Sequence, residues 1–158
     1  MSETNLTHLI SARLLGQISE VLEVKADRIS MISRNRNLGG LDKKGLDNQV
    51  LFKLDLDNEM IAQFSLAPFP GCCGLCISTG AYVVPHMRRK GLGTLLNLLR
   101  IHLATEFGYG LLIATSKETN VPQSNIFFAN NWEAVQQFIN PRTGNHLVVH
   151  TYLLEGGK

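Results

Sequence analysis

Tyr82-Val83-Val84-Pro85-His86-Met87-Arg88-Arg89-Lys90-Gly91-Leu92-Gly93-Thr94 is the stretch on which the fold turns. An apolar run stops at Pro85, which has no amide hydrogen to give to a central ladder. Cations and glycines follow, and then Leu92, Leu95, Leu96, Leu99, Leu103 and Phe107 mark one face of a helix. A strand therefore hands over to a helix through a basic, glycine-containing loop. Unpaired N–H groups and about half a positive charge gather at a helix N-terminus, and glycine lets an anion approach them without a Cβ clash. The junction is by construction an anion site.

Working downstream, Leu98 and Ile101 add a second apolar edge, so this helix is covered on two sides, and Gly108 and Gly110 bracket its exit. Leu111-Leu112-Ile113-Ala114 is a continuous apolar run, as expected of a strand buried on both faces and paired in parallel with an earlier one, which makes a β-α-β crossover. Pro122 opens a short helix through Asn130, and two strands flank the turn at residues 140–145. Upstream, Val50, Phe52, Leu54 and Leu56 alternate with polar neighbours, and the alternation resumes at Met60, Ala62, Phe64 and Leu66 after Asp57-Asn58-Glu59. The spacing predicts a hairpin over residues 50–66, stopped by Pro68, Pro70 and Gly71, and a third strand over residues 75–84. Leu6, Ile10, Leu14, Ile18 and Val21 recur at helical spacing and predict a helix over residues 4–24. Residues 25–48 turn polar around Gly39, Gly40 and Gly45 and read as loop, with a short strand at Ile29 and Met31. The order is that of an α+β domain.

A length of 158 residues fits one core, and 44% apolar against 18% charged residues is the composition of a globular chain. The net charge of +2 is too small to imply a nucleic-acid or membrane partner, so any basic site is local. No stretch approaches the roughly 18–20 apolar residues of a membrane span, and residues 1–25 lack a signal-type apolar block, which gives a cytoplasmic expectation. Cys72, Cys73 and Cys76 crowd one segment, as reduced thiols do, and lack the second pair that a zinc site needs. No metal is expected. His86 reads as part of the basic loop, His102 as surface, and His146 and His150 as structural residues of a strand.

The junction resembles the GNAT superfamily of acyl-CoA-dependent N-acyltransferases, whose loop reads Arg/Gln-x-x-Gly-x-Gly/Ala after a strand often ending Val-x-Pro. Arg88, Gly91 and Gly93 match that loop, Val83, Val84 and Pro85 match the strand end, and the strand-helix-strand order extends the likeness over residues 50–154. The resemblance implies a single GNAT-like domain over residues 1–158: a mixed, splayed sheet flanked by helices, with a helix and variable loop at 1–48 ahead of the acyl-CoA-binding core. It implies that the amides and side chains of Arg88, Arg89, Lys90, Gly91, Leu92, Gly93 and Thr94 cradle a CoA pyrophosphate. Val83 and Val84 would offer main-chain partners to the pantetheine arm, and Asn120 would contact the cofactor. Acetyl-CoA or another acyl-CoA would be the co-substrate, a primary amine the acceptor, and a homodimer a compatible assembly.

Two departures qualify the likeness. The family commonly begins with a strand, whereas a helix is expected to open this chain. A tyrosine that often protonates the leaving thiolate falls on Phe127, which has no proton to give. A thiol of pKa ~8.5 leaves as thiolate at a cost of only about 1–2 kcal/mol at neutral pH, so slow transfer survives that loss. The amine needs more help, about 4 kcal/mol, and Glu118 is the candidate base, with Ser124 as a weaker proton donor. Arg28, Arg34, Arg36, Lys43 and Lys44 could attract an acidic acceptor, but Asp27, Asp42 and Asp47 dilute them into an ordinary solvated loop. An acyl-CoA-binding module without turnover, or a nucleobase-modifying protein on the same scaffold, remain alternatives to the transferase.

Overall fold

A computed structural model describes residues 3–36 and 49–155. One eight-stranded sheet runs through them, in the order β1-β2-β3-β4-β5-β6-β8-β7. The strands are β1 (Glu3–Asn5), β2 (Ile29–Arg36), β3 (Gln49–Leu56), β4 (Glu59–Phe69), β5 (Cys72–Val83), β6 (Leu111–Lys117), β7 (Glu133–Ile139) and β8 (His146–Leu153). Among the described residues three α-helices pack with it: α1 (Ala12–Leu22), α2 (Leu92–Glu106) and α3 (Val121–Ala129). Every pairing is antiparallel except β5 with β6, the pair that α2 connects. The sheet is mixed and the class is α+β, as the order of periodic segments implied.

The opening of the chain corrects the expected helix over residues 4–24. Residues 3–5 form a strand that pairs antiparallel with β2, and α1 begins only at Ala12. Asn5 Oδ1 accepts from the Thr7 N–H at 2.9 Å, and Thr7 Oγ1 accepts from the Met31 N–H at 3.0 Å. Thr7–Leu9 form a single 3₁₀ turn, and short polar side chains here bond to backbone outside any α-helical ladder, although Leu6 and Ile10 keep helical spacing. Ser11 then caps α1, its Oγ accepting from the Leu14 N–H at 3.2 Å. The strand at Ile29 and Met31 is longer than expected and spans β2. Residues 37–48, with Gly39, Gly40, Gly45, Lys43 and Lys44, lie outside the described residues.

The hairpin of β3 and β4 turns at Asp57 and Asn58, both left-handed with φ of 52° and 66°. That backbone matches the twist of the flanking strands and suits these two residue types. Pro68 does not stop β4, which runs on to Phe69 because the ladder shifts register at Pro68, where a missing donor is tolerated. Helix α2 packs on β4 and β5 and touches both other helices. Its Leu92, Leu99 and Leu103 are at most 1% exposed and join Phe52, Phe64, Ile18 and Met31 in one continuous core. Phe52 stacks on Phe64 with ring centroids 5.3 Å apart.

The sheet is interrupted in one place. Strand β5 pairs with β6 only from Leu75 to Ser78, opposite Leu111 to Ala114. Beyond that point β5 stays with β4 and β6 stays with β8, so the two neighbours part. The register of β4 against β5 shifts here, with Gly80 and Ala81 together opposing Phe64, and Gly80 takes a φ of 64°. Such a bulge bends and twists its strand. Leu103→Ala empties a fully buried site between α2 and the sheet, so it is expected to lower stability by about 2–5 kcal/mol in urea unfolding.

Candidate functional site

A cavity of about 690 Å³ opens where β5 and β6 part. One wall is the end of β5. The Val84 N–H is donated to Ile61 O at 2.9 Å, so by antiparallel alternation Val83 turns its own N–H and C=O into the gap. The Val83 C=O accepts from Arg88 Nε at 2.8 Å, and the Arg88 guanidinium lies 5.3 Å from the centre of the Tyr82 ring. The loop is thus tied back onto the strand that precedes it.

The second wall is the start of α2. Arg89 and Gly91 both adopt left-handed backbone, with φ of 63° and 86°. Alternation of this kind around Lys90 turns successive N–H groups toward one side and makes a concavity for anions. Gly91 is the N-cap residue and no side chain caps the helix, so the first amides of α2 carry no side-chain acceptor. Gly93 sits against α3, where an added Cβ would come within 3.2 Å of Ile126 Cδ1. Glycine here serves the close approach of α2 to α3, since a Cβ would crowd Ile126, and not dihedral freedom.

Asn120 is the N-cap residue of α3, and its Oδ1 accepts from the Gln123 N–H at 3.3 Å. The side-chain oxygen is therefore spent on the helix, and the amide NH₂ is the group it can offer the cavity. Of the residues expected to bind a cofactor, Val83 and Asn120 line the cavity, as do Arg88, Arg89 and Gly91 from the loop. Gly93 and Thr94 line it from the first turn of α2. Val84 does not, because Met87 and Ile61 take its main-chain groups. Lys90 is exposed away from the lining, and the Leu92 side chain is buried in the core.

The two candidate catalytic residues stand apart from this cleft. Glu118 lines a separate small cavity of about 230 Å³, with its carboxylate 3.7 Å from His146 Nδ1 and 59% exposed. Ser124 is half-buried on α3 and is not part of the lining. Phe127, at the position where the family's tyrosine was sought, is 1% exposed and packs at 4.6 Å on Trp132 and 4.3 Å on His150. His102 is more than surface, since its Nε2 lies 2.7 Å from Leu9 O and ties α2 to the residues before α1. Cys72 is exposed, whereas burial pushes the Cys76 thiol up to about 12, where it stays protonated. Among the described residues no group of three His, Cys, Asp or Glu side chains could hold a metal ion.

The floor of the cavity carries residues that sequence reasoning missed. Asn97 and Arg100, three apart on α2, are 2% and 3% exposed and line the cavity from the helix side. Arg100 Nε donates to Asn97 Oδ1 at 3.0 Å, and Nη1 donates to Ser78 Oγ at 3.3 Å. Burial lowers the guanidinium to about 10, which leaves it charged at neutral pH. Ser116 Oγ and His150 Nε2 lie 2.9 Å apart on the neighbouring strands. The available signal was Asn97 and Arg100 within a helix that is apolar on two faces. Among the described residues, no carboxylate or histidine lines the cavity, while Arg88, Arg89 and Arg100 do. Its field is positive.

No protein-family model matches the sequence, and no curated protein matches it. Solved structures do match in shape. A GNAT family acetyltransferase from Elizabethkingia anophelis, with acetyl-CoA bound, superposes with a TM-score of 0.63 at 14% identity over 81% of this chain and 99% of that one. The ribosomal-protein-S18-alanine N-acetyltransferase from Escherichia coli gives 0.60 at 12% identity over 97% and 94%. The yncA protein of Salmonella typhimurium, solved with its cofactor acetyl-CoA, gives 0.58 at 17% identity over 68% of this chain, and the match spans 65% of that protein's length. The fold is the GNAT fold.

Burial and the nearby Arg100 charge hold His150 below its ordinary value. The unfolded chain then takes up more protons than the folded one as pH falls below about 6.5, so folding free energy is lost on acidification. Chemical denaturation at pH 7.5 and pH 5 should show wild-type protein losing stability, and His150→Asn losing less.

Proposed function

We propose that this chain is an acyl-CoA-dependent N-acyltransferase that uses the gap between β5 and β6. The observation that carries the proposal is the continuity of three features: a positive, left-handed loop, an uncapped helix start, and a parted pair of strands along one cavity. A pyrophosphate suits the first two, because the amides of residues 89–94 converge on one side and Arg88 and Arg89 neutralise its charge. An extended arm with amide groups suits the third, because the Val83 main chain faces the gap as an edge strand would. The bound acetyl-CoA of the Elizabethkingia protein supports the same reading for this fold.

Acyl-CoA brings an activated thioester, and the amine nitrogen forms the new C–N bond as the C–S bond breaks and CoA leaves as thiolate. The chain's own part is to bind and orient. Pairing along β5 places the thioester beside the Gly80–Ala81 bulge, where ladder N–H groups lack a β6 partner and can receive the developing oxyanion. Among the described residues the lining supplies no carboxylate or histidine, and in this scheme water takes the proton lost by the amine and gives one to the thiolate. Glu118, beside His146, serves in this scheme as a solvated neighbour of the α3 entry rather than as the base.

A second reading, binding of acyl-CoA without transfer, is favoured by the buried phenyl ring of Phe127 in place of a proton donor. Turnover separates the two. Acetyl-CoA at ~100 times its dissociation constant is expected to add about 2.7 kcal/mol to unfolding free energy, and Gly91→Glu to abolish the gain. A Cβ at Gly91 meets nothing within 4 Å, so that variant suffers only the left-handed backbone penalty of about 1–2 kcal/mol. Transfer predicts thiol release that rises when amines are added. Stabilisation without amine-dependent release would establish the binding module, and no stabilisation by any CoA species would refute both.

A further inference from the structure

At the point where β5 and β6 part, a buried cation stands without a counter-ion among the described residues. Arg100 bonds only to the neutral oxygens of Asn97 and Ser78 among the described residues. Its guanidinium carbon lies 4.9 Å from the Phe127 ring centre and 5.2 Å from that of Trp132. The described salt bridges involve Glu3, Asp57 and Glu118, all elsewhere. Asn97 Nδ2 is buried with no hydrogen-bond partner among the described residues. Both residues face the cavity. An alkyl side chain, as at Leu96, Leu99 and Leu103, would fill this space without desolvating a charge. The unused donors of a guanidinium and an amide, side by side, match the two oxygens of a carboxylate.

Position identifies which carboxylate. A ligand held by its phosphates at residues 88–94, and laid along β5 from Val83 back past Ala81, points its far end at Ser78. Arg100 contacts that Ser78 hydroxyl, and it lies seven residues, or about 10 Å, beyond Gly93 along α2. The far end of an acyl-CoA is its acyl group. Resting on the transferase reading above, we infer that Arg100 and Asn97 form an acyl-end subsite for a carboxylate. The preferred donor is accordingly the CoA thioester of a short dicarboxylic acid, with one carboxyl free, rather than acetyl-CoA. Phe127 has a part in this arrangement: its ring holds the guanidinium in place where a proton donor was sought.

Isothermal calorimetry on the whole chain tests the subsite with free CoA, acetyl-CoA, and the length-matched pair butyryl-CoA and succinyl-CoA, with malonyl-CoA and glutaryl-CoA to set the length. A dicarboxylic thioester should bind about 10-fold or more tightly than its neutral counterpart, since hydrogen bonds to charged groups are the strong ones. Arg100→Gln should erase that preference, so that the matched pair bind alike. Asn97→Ala keeps the cation and should weaken the preference several-fold, which covers the case in which the Arg100 variant does not fold. Equal affinity of wild-type protein for the matched pair overturns the subsite, as does a preference that persists in both variants. Failure to bind even free CoA overturns the acyl-CoA reading itself, a distinguishable outcome.

Discussion

The parting of β5 from β6 is the constraint on which the rest of the structure depends. Two parallel strands pair over four residues and then diverge, leaving main-chain donors and acceptors along β5 without their natural neighbour. An open break in a sheet interior is costly, because backbone polar groups demand partners. It persists here because each strand is secured on its other side. Strand β5 follows β4 to Val83, and β6 follows β8 to Lys117. The bulge at Gly80 and Ala81 turns β5 away from its parallel partner, and Arg88 closes the strand end by bonding the Val83 carbonyl. The gap is therefore a stable feature of two secure half-sheets.

Charge is distributed around that gap in a graded way. At its mouth Arg88 and Arg89 are exposed, suited to an anion that arrives from solvent. On its floor Arg100 is buried and held by aromatic faces, where the low local dielectric strengthens any interaction with an anion that reaches it. His150, against the Phe127 ring, is held below its ordinary value by burial and by Arg100. One cation on the floor is tolerable because its neighbours are neutral hydrogen-bonding groups and π-faces. A second positive charge there would not be.

Much of the fold was legible because the relevant signals are local. Alternation at residues 50–66 required a hairpin, and the apolar run at residues 111–114 pointed to a strand in parallel pairing, although only its Leu112 and Ala114 face is fully buried and Leu111 and Ile113 are half-buried. The loop from Arg88 to Thr94 was legible as an anion site because a strand-to-helix junction with glycines and cations has few other uses. The start of the chain was misread, since the spacing of Leu6 and Ile10 fits a helix while Asn5 and Thr7 bond into a turn and toward Met31, a partner 24 residues away. Glu118 was drawn toward the gap by its position after β6, yet its side chain emerges beside His146 on β8.

What the sequence by itself determined is the set of elements, their order and the place where a phosphate-like group can dock. All of these follow from periodicities and turn chemistry within stretches of some twenty residues. What only the tertiary structure decided is where the sheet opens, which main-chain groups face the opening, and that Asn97 and Arg100 form its floor. A residue on a helix covered on two sides has no assigned partner until the sheet, α2 and α3 are brought together. The burial of a charge, which gives it chemical meaning, is a property of that assembly alone.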